Sequence, residues 1–267
     1  MLCSNKTNGR SVMKKIVALV AVLFSVVVPV QASGADQKSL VIIDSYFQAG
    51  IASNPINASG AACAQSKPVK GSTISSPYNH GTAMYVVAKL QNPGVSIIPI
   101  CASNAQSDVF PSQLISSLQW VKNNSAKVSA VSISLTFNKT RLECLPTSPA
   151  KKDDVVNDTQ IRSLINDLNN AGIPVFASAG NSTNKSVSYP GCIAETKAVA
   201  HANELGKPLA WSDANTDYFV KLSDDGSKFN YTTTFGLVPH TSSSATVAVA
   251  SKWVSGTITS PVVKPTI

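Results

Sequence analysis

Short unbroken apolar runs alternate along this chain with longer stretches in which apolar residues recur every three or four positions. Leu40-Val41-Ile42-Ile43 leads into Asp44, Ile173 to Ala177 is a second such run, and Val95 to Ile100 and Ser129 to Leu135 repeat the pattern with serines interposed. Apolar residues at successive positions predict strands buried on both faces. Between the runs, His80 to Ala88 predicts a buried helix, and Leu114, Ile115, Leu118 and Val121 mark one face of a helix opened by Pro111. Ile161, Leu164, Ile165 and Leu168 mark a further helix, stopped by Gly172. Strands alternating with helices predict an α/β fold with a mostly parallel central sheet and helices on both faces, where ligands gather at the carboxyl ends of the strands. Asp44 and Asn181 both fall at such ends.

The remaining stretches carry weaker patterns. The 35 residues after Asp44 are polar and rich in Pro and Gly, and they read as loops on the sheet's edge. From 190 to 236 the pattern shortens into strands at Thr196 to Ala200 and Tyr218 to Leu222. Thr241 to Ser244 is a hydroxyl cluster leading into a small-residue apolar helix that those hydroxyls can cap. No internal repeat and no low-complexity segment is present.

Composition narrows the class. With 267 residues, 43% hydrophobic and 13% charged, the chain can bury a full core. Met13-Lys14-Lys15, the apolar core Ile16 to Val30 and the small residues around Ala32 read as an export signal over 1–32, with residues 1–12 an upstream extension of a start at Met13. A domain over 33–256 and a tail over 257–267 follow. Removal of the signal takes Lys6, Arg10, Lys14 and Lys15 and no acid, lowering the formal charge from +8 to +4. No basic stripe interleaved with aromatics exists, which excludes nucleic acid as a partner, and no membrane span remains once the signal is gone. The expectation is an exported, periplasmic or secreted monomer. Four cysteines, Cys63, Cys101, Cys144 and Cys192, suit an oxidising compartment, and no C-x-x-C spacing suggests zinc.

The candidate chemistry begins at His80. It is followed by Gly81-Thr82 and then by residues that continue a buried helix, so the imidazole sits on a fixed mount at a helix start, as a base requires. Alone, His80 is as well explained by a local bond, Asp44 by a turn, Asn181 by a helix or strand end beside Gly180, and the serines by capping. Their order and placement are what distinguish them.

Asp44 at a strand end, His80 at one helix start, Asn181 after a strand and a serine at another helix start together resemble the subtilisin-like serine proteases. The likeness is carried by Val41-Ile42-Ile43-Asp44-Ser45, by His80-Gly81-Thr82, by Ala171 to Asn181 and by Thr241 to Ala250, with weaker support from Ser134-Leu135 and Tyr189-Pro190-Gly191. The resemblance implies that family's three-layer fold and acyl transfer on a peptide or protein substrate, with Ser243 as nucleophile, His80 as base, Asp44 as its orienting carboxylate and Asn181 as oxyanion donor. It further implies that Ser134, Leu135 and Thr136 line the substrate cleft. Aligning Ala245, Thr246, Val249 and Ala250 favours Ser243 over Ser242, which then stands in the usual threonine place. By the same resemblance the loops bearing Cys144 and Cys192 approach each other, which implies Cys144–Cys192 and leaves Cys63–Cys101.

Departures from the family pattern accompany the match. Tyr46 stands two residues after Asp44 where glycine is usual, Thr241 takes a glycine place, Val247 replaces a proline and Thr136-Phe137 replace Gly-Gly. Eleven residues between Ala32 and Asp44 leave no room for a folding pro-segment. These changes keep a second expectation open, a peptide-binding member of the fold with impaired catalysis. Other schemes fit less well. No Gly-x-Ser-x-Gly exists, and Ser148/Lys151 and Ser182/Lys185 lack the accompanying β-lactamase motifs. His201 and His240 read as surface or loop histidines, and Asp224-Asp225-Gly226 as a turn rather than a calcium loop. No metal or cofactor is implied.

Overall fold

The structure is a computed structural model describing residues 38–48, 52, 55–57, 80–103, 109–135, 152–181, 187–202, 218–221, 230–233, 236–239 and 241–257. All of these fall within Asp36–Ile267. In chain order they form β1 (Ser39–Asp44), β2 (Ile56–Asn57), α1 (His80–Gln91), β3 (Ile97–Cys101), α2 (Pro111–Asn123), β4 (Val128–Ile133), α3 (Lys152–Asn170), β5 (Val175–Ser178), β6 (Lys197–Ala202), β7 (Tyr218–Lys221), β8 (Asn230–Thr233), β9 (Gly236–Pro239) and α4 (Ser242–Val254).

Seven strands make one parallel sheet in the order β2-β3-β1-β4-β5-β6-β7, and β8 and β9 form a separate antiparallel pair. β1 is central, and every one of its residues is buried. Its alternate side chains feed two cores. Leu40 and Ile42 join Ala83, Val87, Phe176, Ala245 and Val249 on the face covered by α1 and α4. Val41 and Ile43 join Leu114, Leu118, Ile161 and Ile165 on the face covered by α2 and α3. Three layers result, helices over sheet over helices, because a strand apolar at every position must be covered on both sides. From β1 the chain first builds outward through β3 and then crosses to β4 on the opposite flank. A crevice opens at such a switch point, outside the carboxyl ends of the strands.

α4 is the innermost helix. Ser242 through Ser251 are buried without a break, and the small residues Ala245, Ala248 and Ala250 allow it to lie close against the sheet. Its buried hydroxyls find carbonyl partners, Thr246 Oγ1 donating to Ser242 O (2.7 Å) and Ser251 Oγ to Ala88 O of α1 (2.9 Å). A helix apolar on all sides has no solvent face, so those polar atoms must be satisfied internally.

Three features differ from the sequence expectation. β2 lies in the stretch read as loop, where it pairs only with Ile100 and Cys101 of β3 and leaves Pro99 at an edge, a position a strand proline tolerates. The β8–β9 pair was not expected at all. His201, expected at the surface or in a loop, lies instead on β6 and is only 2% exposed, because that strand runs two residues beyond Ala200. His240 and the Asp224-Asp225-Gly226 turn lie outside the described residues. Among the described residues no helix is long and apolar enough to cross a membrane.

Burial of His201 pushes its pKa down to about 4. The unfolded chain therefore takes up a proton near pH 6.5 that the folded chain refuses until much lower pH. Stability falls as pH drops through that window, by about 3 kcal/mol in all. Urea unfolding at pH 7 and pH 4 is expected to show this loss, and His201→Gln to flatten it relative to the parent.

Candidate active site

Asp44 is the last residue of β1, and its side chain is fully buried. Its Oδ1 accepts from the Ser45 backbone N–H (2.6 Å), from Ser45 Oγ (3.2 Å) and from His80 Nδ1 (2.8 Å). A carboxylate can only accept, so the His80 proton sits on Nδ1 and Nε2 is left bare. The imidazole is 29% exposed, which leaves part of it open to solvent while Nδ1 faces inward. Burial tends to lower the His80 pKa, but the Asp44 charge and hydrogen bond outweigh it and hold the pKa above the usual value. An imidazole so held can take up a proton at Nε2 and keep the resulting cation beside an anion.

The two residues after His80 explain how it is mounted. Thr82 N–H donates to Tyr46 O (3.1 Å), and Thr82 Oγ1 accepts from Gln48 N (2.6 Å), tying the start of α1 to the chain just past β1. Between them, a Cβ on Gly81 would overlap the Tyr46 carbonyl oxygen and press within 3.1 Å of Asp44 Cβ. Only glycine permits that approach, and the obstruction is backbone rather than a movable side chain. Gly81→Ala is accordingly expected to cost about 1–3 kcal/mol of stability through overpacking and to draw His80 away from Asp44. Urea titration gives the first effect, and loss of reaction with a serine-directed reagent the second. Tyr46, which stands where glycine is usual, is itself buried.

On the other side of the switch point, Asn181 follows β5 through Gly180, whose φ of 102° is open to glycine. Asn181 Oδ1 accepts from Ser242 N–H (2.9 Å) and Ser242 Oγ (2.8 Å). With the oxygen engaged by Ser242, Nδ2 is the end of the Asn181 side chain left to donate elsewhere. Thr241, which takes a glycine place in the family pattern, serves as the N-cap of α4 in extended conformation (φ −128°, ψ 172°). Its Oγ1 accepts from Ser244 N, while its own N–H donates to Ser244 Oγ (2.8 Å), a reciprocal box that needs no glycine.

Ser242 and Ser243 differ sharply in this frame. The Ser242 hydroxyl is fully buried and committed to Asn181 and to Ser178 Oγ (2.5 Å). Ser243 is 7% exposed, occupies the second turn position of α4, and its carbonyl accepts from Ser134 Oγ (3.3 Å) at the end of β4. Backbone N–H groups at that position have no partner within the helix. The structure thus joins Asp44 to His80, Asn181 to Ser242 and Ser134 to Ser243, and among the described residues no hydrogen bond links the Ser243 hydroxyl to His80. Leu135 follows β4 and is buried, and Thr136 lies outside the described residues. Sequence reasoning did not single out Ser178, which carries no signal beyond an ordinary strand serine.

Comparisons with known proteins agree with this fold. Among solved structures, a lanthipeptide protease superposes with a TM-score of 0.57 at 16% identity, covering 81% of this chain and 72% of that one. The epidermin leader peptide processing serine protease from Staphylococcus aureus gives 0.59 at 14%, over 82% of this chain and 64% of that one. The prenylagaramide maturation protease gives 0.52 at 14%, over 82% and 74%. Identities this low speak to the fold alone. Among curated proteins no sequence matches significantly. The sequence profile of the subtilase family, peptidase family S8, matches residues 28–267, and the chain belongs to that family of serine-type peptidases.

Proposed function

We propose that this chain is an exported endopeptidase that cleaves peptide bonds through Ser243, His80 and Asp44, with Asn181 as oxyanion donor. The observation that carries the reading is the 2.8 Å bond between Asp44 and His80 Nδ1, made by residues 36 apart in sequence at the carboxyl end of the central strand. It leaves Nε2 as the only free basic nitrogen of the pair. In the reaction, Ser243 Oγ attacks the scissile carbonyl carbon as its proton passes to His80 Nε2, and Asp44 stabilises the imidazolium. Negative charge on the carbonyl oxygen is met by Asn181 Nδ2 and the Ser243 backbone N–H. His80 then returns the proton to the leaving amine, and water repeats the sequence to release the acyl group. Side chains and backbone supply every step, so the reading invokes no cofactor.

Export rests on the signal pattern of residues 1–32 and on the four cysteines beyond it. Cys101 ends β3 and Cys192 follows β5, with β1 and β4 between them. The resemblance to the subtilisin-like proteases places the loops bearing Cys144 and Cys192 side by side, which favours pairing Cys101 and Cys192 with different partners. We assign Cys144–Cys192 and Cys63–Cys101, each expected to contribute about 2–4 kcal/mol. Cys63 and Cys144 lie outside the described residues, and non-reducing peptide mapping tests the assignment. For substrate, the reading extends to peptides, the class named for the lanthipeptide protease and the leader peptide processing protease.

The unformed bond between Ser243 and His80 favours a second reading, a peptide-binding member of the fold without turnover. Incubation with a fluorophosphonate separates the two, since only an activated serine reacts. The expected result is one label, mapped to Ser243 and lost in His80→Ala. No label on folded protein would sustain the second reading instead.

A further inference from the structure

We propose that Ser178 is a positioning residue for Asn181, acting through the Ser242 hydroxyl; this rests on the reading of Asn181 as oxyanion donor. The argument is one of proton direction. Asn181 Oδ1 can only accept, and the Ser242 hydroxyl lies 2.8 Å from it. Ser242 has one hydroxyl proton. Were that proton turned toward Ser178, the Ser242 and Asn181 oxygens would face each other lone pair to lone pair. The proton therefore goes to Asn181, and the 2.5 Å contact between Ser178 Oγ and Ser242 Oγ must be filled by the Ser178 proton. The hydroxyls of Ser178 and Ser242 form a directed relay, Ser178 to Ser242 to Asn181, at residues 7% and 0% exposed.

Two consequences follow for the amide. With its oxygen also accepting from the Ser242 backbone N–H, Asn181 cannot flip without opposing donor to donor, so its nitrogen stays turned outward. In addition, hydrogen bonds in sequence polarise one another, so a donor arriving at Ser242 strengthens the pull on Asn181 Oδ1 and makes its N–H groups better donors. That gain matters most when charge develops on the oxyanion, and so belongs to turnover rather than substrate binding. The position is not one that packing alone would demand, because Ser178 ends β5 opposite Val199 in register and its hydroxyl has no other partner among the described residues.

The test is a cycle in the full chain with Ser178→Ala, Asn181→Ala and both together. Ser178→Ala is expected to lower kcat about 3- to 10-fold at unchanged KM, the share of one neutral hydrogen bond, and to cost nothing further in the Asn181→Ala background. Ser178→Thr, which keeps the hydroxyl, is expected to retain most of kcat. Equal losses in both backgrounds, or a change in KM alone, would overturn the relay. A second readout does not need turnover. The Asn181 side-chain amide signals, identified by their absence from Asn181→Ala protein, are expected to shift in Ser178→Ala, and unmoved signals would also overturn it. A shifted amide in protein that neither hydrolyses peptides nor takes the fluorophosphonate would support the relay while overturning the catalytic reading on which its purpose rests.

Discussion

Replacing Ser243 or His80 with alanine is expected to lower kcat on a peptide substrate by about a million-fold, and replacing both to cost little more than either alone. The reason is that the two residues act on a single proton. Without the imidazole, the hydroxyl remains a poor nucleophile at neutral pH; without the hydroxyl, Nε2 has nothing to activate. What survives comes from substrate binding and the oxyanion donors, which neither substitution touches. Ser242→Ala provides the contrast. It removes a bond to Asn181 rather than the nucleophile, so its loss is expected to stay within about 100- to 1,000-fold, the range for an oxyanion donor. A larger loss from Ser242→Ala than from Ser243→Ala would reassign the nucleophile, and hydrolysis unchanged by either would leave only the fold in common with the family.

Asp44→Asn is expected to cost about 10,000-fold in kcat while leaving the fold nearly intact. An asparagine amide can donate where the carboxylate accepted. The proton on His80 would then be driven from Nδ1 to Nε2, the nitrogen that must be bare. The pH profile supplies an independent check. In the parent, activity requires neutral His80, whose pKa is held above the usual histidine value by Asp44 against the opposing effect of burial. The rising limb of kcat/KM is therefore expected above pH 6.5. Without the Asp44 charge only burial remains, and the limb of the residual activity is expected to move to lower pH. A limb that stayed in place would show that the titrating group is not His80. The same shift acts on stability in the opposite sense to that of His201, since protonated His80 favours the folded state below the unfolded pKa and the advantage is lost as pH rises through the folded one.

The central layers were legible because β1 and β5 hold apolar residues at successive positions, β4 carries Val128, Ala130, Val131 and Ile133, and the helices between them carry clear 3.6-residue faces. Those signals are local, and burial on two sides leaves little freedom to depart from them. β8 and β9 escaped because each is only four residues long, β8 carrying two threonines and β9 a glycine and a proline, and the sequence between them has no Asn-Gly or Asp-Gly pair to mark a tight hairpin. His201 was misplaced by a strand end misjudged by two residues. In the site, Asp44 and His80 could be found by their positions on elements. The division of labour between Ser242 and Ser243 could not, since two adjacent serines at a helix start look alike until a partner 61 residues away, Asn181, takes one of them. Ser178 was invisible for the same reason, its role being defined wholly by a neighbour distant in sequence.

The placement of α4 has a bearing on when such a molecule can become active. Ser243 comes 163 residues after His80, on a helix whose ten buried residues fill the layer against Leu40, Ile42 and Phe176. Until that helix inserts, one face of the sheet has only α1 as cover and the proposed nucleophile is absent from the crevice. Closure of the longest loop and assembly of the reacting groups are thus one late event, and non-local closure is slow. On the proposed assignment, a chain still emerging from synthesis carries His80 and Asp44 but not yet Ser243 beside them, so a partly folded copy would lack the reacting hydroxyl.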